Sequence, residues 1–114
     1  MSDHPKEAFK IVDAGEWAVA EATGSYAGSA VDLTDGYIHL SAADQLAGTV
    51  RKHYAGRENL LLLTVDLTGL GEALIWEPSR GGALFPHFYG PLPVAAVTAT
   101  KTFSVGADGA MVFA

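Results

Sequence analysis

The residues with which this sequence can do chemistry fall in two short stretches. The first is Asp35-Gly36-Tyr37-Ile38-His39-Leu40-Ser41. A histidine on a strand just ahead of a helix start lies beside free N–H groups that attract anions. From there His39 can orient a ligand or act as a general base. The same pattern equally serves a histidine with one structural hydrogen bond and a Ser41 that only caps a helix. The second stretch runs from Trp76-Glu77-Pro78-Ser79-Arg80-Gly81-Gly82 to Phe85-Pro86-His87-Phe88-Tyr89. Here Arg80 offers a planar fork for phosphate or carboxylate, Gly81 and Gly82 allow close backbone approach, and the aromatics offer stacking faces. A surface turn with a solvated Arg80 and a core Phe85 and Phe88 is the plainer reading, and Trp76 suits either a cleft wall or the core. Arg51 and Lys52 read as the solvated side of a helix.

These groups need elements to position them. Phe9-Lys10-Ile11-Val12 reads as a strand, and Asp13 with Glu16 three residues on has the spacing of a capping box, opening a helix that Gly24 stops. Residues 24–36, rich in Gly, Ser, Asp and Thr, read as a long loop, of the kind that often carries function. Tyr37-Ile38-His39-Leu40 alternates as a second strand. Ser41 with Asp44 then caps a second helix, on which Leu46, Val50 and Tyr54 recur at intervals of four until Gly56 ends it. The apolar run at 60–65 is too short for a buried helix and is expected as a central strand covered on both faces. Further strands follow at 74–76 and 94–105, with an extended segment at 84–90 broken by Pro86 and a hairpin partner at 110–113 after the turn Ala107-Asp108-Gly109. Two helices and five or more strands predict an α+β domain.

Composition narrows the function classes. The chain has 114 residues, a size suited to one domain. Seven Lys and Arg stand against thirteen Asp and Glu, a net charge of −6, which argues against DNA and RNA as partners. With no cysteine there is no disulfide framework, thiolate metal site or thiol nucleophile. His4, His39, His53 and His87 lack the spacing of a zinc site, so no metal is expected. No G-x-S-x-G, P-loop or G-x-G-x-x-G motif is present. No membrane-length apolar stretch and no signal-peptide-like start appear, so the cytoplasm is the expected compartment.

Several motifs carry a resemblance. Lys10-Ile11 with Trp17, Tyr26-Ala27-Gly28-Ser29, Asp32-Leu33, the stretch from Asp35 to Ser41, His53-Tyr54, Trp76-Glu77, Ser79-Arg80-Gly81-Gly82 and Phe85-Pro86-His87-Phe88-Tyr89-Gly90 resemble the domain-of-unknown-function family 952 over about residues 8 to 98. That grouping implies no activity. More distantly, Ile38-His39-Leu40-Ser41, a helix, and a strand ending in Val65-Asp66 resemble the C-terminal half of the tRNA 2′-phosphotransferases. Those enzymes have an ADP-ribosyltransferase-like fold and use NAD. The resemblance implies such a core here, NAD or ADP-ribose as ligand, and His39 at a nicotinamide-side position. The sequence departs from it at Ile11-Val12-Asp13, where that family has His followed by Gly-Thr. Neither the N-terminal Arg-His pair of the phosphotransferases nor the Glu of the mono-ADP-ribosylating enzymes has a counterpart.

The expectations are then definite. Residues 1–114 form a single domain with a flexible tail at 1–7, two helices and a bent or split mixed sheet. One cleft is lined by His39 and Ser41 on one wall and by Trp76, Arg80 and His87 on the other, with Tyr26 and Ser29 closing over it. His39 is the candidate catalytic group and Arg80 the anion anchor for a nucleotide-like small molecule bound by a monomer. An NAD-using transferase, a non-catalytic ligand sensor and a protein-interaction domain remain the competing functions.

Overall fold

The computed structural model describes residues 4–113, the side chain of Arg80 excepted. In chain order its main elements are β1 (Glu7–Asp13), α1 (Ala14–Thr23), β2 (Ser25–Tyr26), α2 (Ala30–Asp35), β3 (Ile38–His39), α3 (Ala43–His53), β4 (Leu60–Asp66), β5 (Leu74–Pro78), β6 (Leu84–Phe88), β7 (Leu92–Pro93), β8 (Val97–Val105) and β9 (Met111–Phe113). The sheet is split into a four-stranded part ordered β1-β4-β8-β9, a pair β2-β7 and a three-stranded part β3-β6-β5. All six ladders are antiparallel, so the mixture is one of sheet sizes and helices rather than of strand directions.

The four consecutive leucines of β4 have partners on both faces. Leu63 and Val65 enter a larger core with Val12, Trp17, Ile38, Leu40, Phe88 and Leu92, while Leu60 and Leu62 enter a smaller one with Ile11, Val50 and Phe103. Strand alternation sends odd and even positions to opposite sides, so a strand between two cores must be apolar throughout. The four-stranded and three-stranded parts meet at Phe9 and Ser41, whose backbones exchange hydrogen bonds of 2.7 and 2.9 Å.

Several local expectations are corrected. The region at 24–36 is not a loop: it contains β2 and the six-residue α2, making three α-helices among the described residues rather than the expected two. Ser29 and Asp32 start α2 with a reciprocal capping box, and Gly36 ends it at φ 87°. Val31 and Leu33 point outward, 62% and 65% exposed, so no apolar face announced the helix. Helix α3 is capped at Ala42, not Ser41, because the Ser41 backbone is engaged with Phe9; Gln45 Oε1 instead accepts from Ala42 N–H. The helix closes at Tyr54 rather than Gly56. Pro86 does not break β6, since its carbonyl still accepts from Leu40 N–H and the ladder loses only the bond a proline cannot donate. The last long strand starts at Val97, after a 3₁₀ turn at Val94–Ala96. Of the expected tail, residues 1–3 lie outside the described residues. Lys6 already accepts from Leu67 N–H, and Glu7 pairs with Asp66.

Candidate functional site

Lys10 lies on β1 between Ala8 and Val12, both in the larger core, so strand alternation points its ammonium inward. It is 5% exposed, and burying a charge without a partner is costly. The partner is Asp32 at the third position of α2, 2% exposed, with carboxylate oxygens 3.0 and 3.2 Å from Lys10 Nζ. Asp32 Oδ2 also accepts from Ser29 N–H at 2.9 Å, and Oδ1 accepts from His39 N–H at 3.1 Å and contacts His39 Nδ1 at 2.6 Å. One buried carboxylate thus ties β1, the start of α2 and β3 together. Burial alone raises the Asp32 carboxyl; the His39 hydrogen bond, the Lys10 charge and the Ser29 and His39 backbone N–H groups outweigh it and hold the group below its usual range. Burial pulls the Lys10 ammonium below its usual value, against the charge and hydrogen bond of Asp32.

His39 is fixed at both ring nitrogens. With Nδ1 on Asp32, Nε2 meets Asp35 Oδ2 at 2.9 Å, a contact that is a hydrogen bond only when Nε2 carries a proton. The β3–β6 register sets His39 opposite His87, with ring centroids 5.5 Å apart. His87 has a carboxylate of its own: its Nδ1 is 2.7 Å from Glu77 Oε1, which also accepts from Tyr89 OH at 2.7 Å. The Tyr89 and His87 hydrogen bonds draw the Glu77 carboxyl down, and the same Glu77 bond pushes the Tyr89 phenol up to about 12. The Tyr37 ring stacks on His87 at 4.1 Å and lies tilted 4.6 Å from His39. Burial, together with the charges of Asp35, Glu77 and Asp32, raises the Tyr37 phenol. Two histidine–carboxylate pairs therefore stand side by side, braced by a tyrosine.

Lys10, Asp32, Asp35, Tyr37, His39 and His87 line a groove of about 680 Å³. Of the expected site residues, His39, Ser41, His87, Tyr26 and Ser29 line it. Ser29 is also the α2 cap, and Ser41 Oγ is 3.0 Å from Thr49 Oγ1. Burial, with Asp32 and Glu16 nearby, strongly raises the Tyr26 phenol. Trp76 is not among the lining residues: it packs on the larger core and stacks on His4 at 4.2 Å. Strand alternation is the reason. In the β3-β6-β5 register the even positions Ile38, Phe88, Leu74 and Trp76 face the core, whereas His39, His87, Ile75 and Glu77 share the opposite face. Glu77 does not line the groove either, but it reaches it through His87, whose Nδ1 it meets. The Arg80 side chain lies outside the described residues, so its role as anion anchor finds no geometry here. The described cations on the groove are Lys10, which Asp32 holds, and Lys52 and Arg57 near the end of α3.

Residues 11–100 match the family model described as protein of unknown function DUF952. The chain belongs to that family. The crystal structure of protein CC0527 from Caulobacter crescentus is similar to it at 49% identity and a TM-score of 0.88, over 93% of each chain. The solution NMR structure of CC0527 gives 50% identity and a TM-score of 0.80, over 92% of this chain and 90% of that one. No curated protein matches.

In this DUF952 domain, Lys10, Asp32, Asp35 and Glu77 are the groups that inspection of the sequence left out of the site. A lysine inside the apolar stretch from Ala8 to Val12 was the available signal for the first. Aspartate at the third position after Ser29 was the signal for the second, since that is the capping-box pattern. Glu77 gave none, because its partner His87 lies on another strand ten residues away.

Proposed function

We propose that the groove binds an anionic, nucleotide-like small molecule, with NAD and ADP-ribose as the candidates that the tRNA 2′-phosphotransferase resemblance suggests. The observation that carries this reading is the pairing of a rigidly held His39 with the cations Lys52 and Arg57 and the ring faces of Tyr37 and Tyr54 along one groove. Its volume, about 680 Å³, lies within the roughly 300–1,000 Å³ usual for small-molecule sites. The donor set suits NAD in particular. Asp35, Asp13 and Glu16 line the same groove as the two cations, and NAD carries a cationic ring as well as an anionic diphosphate. Lys52 and Arg57 would meet the diphosphate, a tyrosine face would stack on a base, and His39 would orient a ribose hydroxyl or amide. NAD, when bound, supplies an electrophilic ribose carbon; the chain's own part is to position it and exclude water. An ADP-ribosyltransferase-like core is part of this reading, as is a cytoplasmic monomer, for which the absence of cysteine suits a reducing compartment.

The test is titration calorimetry with NAD and ADP-ribose on the wild type, Lys52→Ala, Arg57→Ala and His39→Asn. Binding is expected, with a loss of about 1.5–3 kcal/mol for removing each charge-assisted contact. Absence of binding heat and of thermal stabilisation with both ligands refutes the reading.

A further inference from the structure

We propose that His39 and His87 act as a paired general acid and general base that hydrolyse a phosphodiester on a ribose oxygen of the bound nucleotide. The proposal rests on the binding reading above and narrows its ligand class. The two imidazoles face each other across the β3–β6 ladder, 5.5 Å between centroids. Each has Nδ1 against its own carboxylate, Asp32 at 2.6 Å and Glu77 at 2.7 Å, which orients the ring, and both residues line the groove. What meets Nε2 divides the roles. In His39 it lies 2.9 Å from Asp35 Oδ2, a partner that accepts from this nitrogen when it carries a proton, and Asp35 at 42% exposure is placed to give way to a ligand oxygen. In neutral His87 the bond to Glu77 keeps the proton on Nδ1 and leaves the lone pair on Nε2.

One donor and one acceptor side by side is what displacement of an alkoxide from phosphorus requires, because an alkoxide leaves readily only as it gains a proton. In the step, His87 Nε2 takes a proton from water as the water oxygen bonds to phosphorus. The bond from phosphorus to the ribose oxygen breaks, and His39 Nε2–H protonates that oxygen. The products are a phosphate monoester and a ribose hydroxyl. The proton gained by His87 and the one lost by His39 are then exchanged with solvent. The pair is faced by Lys10 from β1, Asp32 and Asp35 from α2, Glu77 from β5, and the phenols of Tyr37 and Tyr89. Lys52 and Arg57 on the groove supply positive charge for the phosphate oxygens.

The experiment uses the full-length protein with adenosine 2′,3′-cyclic phosphate, following the monoester product by chromatography over a pH series. Binding of adenosine 2′-phosphate is measured in parallel by calorimetry. The expected result is turnover with a bell-shaped pH dependence. His39→Asn is expected to lower kcat by roughly 10²–10⁴-fold while still binding the monoester. Because His87 is buried and its replacement endangers folding, Glu77→Gln is the second variant: it leaves the ring in place, releases its tautomer, and is expected to lower kcat with KM little changed. Monoester binding by the wild type without turnover overturns the acid–base proposal and leaves the binding reading standing. So does turnover that both variants retain in full, or a pH profile with a single limb. Failure of both monoester binding and turnover overturns this proposal, and the binding reading falls with it only if NAD and ADP-ribose also fail to bind.

Discussion

Replacing Asp32 by asparagine tests the central physical argument, that one buried carboxylate holds the site together. Asp32→Asn keeps the shape and removes the charge. Its amide cannot serve the existing donors. If the carbonyl takes the Oδ1 position facing His39 and Lys10, the NH₂ meets Ser29 N–H, and the reverse orientation sets it against His39. Lys10, 5% exposed, is left buried without its anion. Breaking a buried ion pair from one side costs about 3–5 kcal/mol, and a lost helix cap about 1 kcal/mol. The two terms share the same carboxylate, so a total of about 3–5 kcal/mol is expected, against roughly 5–15 kcal/mol for a whole domain. Urea denaturation at neutral pH measures it. The double variant Lys10→Met/Asp32→Asn is expected to be more stable than Asp32→Asn alone, since it removes the stranded charge. The pH dependence has a definite sign. The folded Asp32 carboxyl is held below its usual 3.8, so its contribution is present above that pH and is lost as pH falls below it, towards the folded value. The wild type and Asp32→Asn should therefore converge in stability on acidification below that point. A cost under about 1 kcal/mol, the level of a solvent-exposed pair, or a double variant no more stable than the single, refutes the argument.

Three further outcomes are expected. Gly109→Ala should destabilise the domain by at least about 1 kcal/mol in thermal or urea unfolding, because φ is 85° and an added Cβ would lie 2.7 Å from Arg51 Cγ and 3.0 Å from its Cα on α3. Trp76→Ala should cost about 3–5 kcal/mol or less of stability through lost packing, while leaving affinity for any groove ligand unchanged by calorimetry. Tyr89 should ionise late, near 12, in a phenolate absorbance titration, and Glu77→Gln should bring that titration back towards 10 by removing the carboxylate that binds the phenol.

How much of this was legible in the chain follows from the range of the interactions involved. The apolar run at 60–65, the Asp13 cap and Gly24 stop of α1, and the hairpin at 105–111 depend on neighbours within a few residues, and periodicity or turn chemistry reveals them. Residues His39, Ser41, His87, Tyr26 and Ser29 could be singled out because polar or aromatic types stood where no core role was evident. Helix α2 escaped because its outward Val31 and Leu33 carry no apolar periodicity, and Ser41 lost its expected capping role because Phe9, thirty-two positions earlier, claims its backbone. Register between distant strands is a tertiary matter. It placed His39 opposite His87, turned Glu77 towards His87 and Trp76 to the core, and set Lys10 within reach of Asp32. A one-residue slip would reverse every one of those faces. The sequence by itself determined which groups are available for chemistry; only the folded ladders, held in phase by the burial of their apolar faces, decided which of them meet.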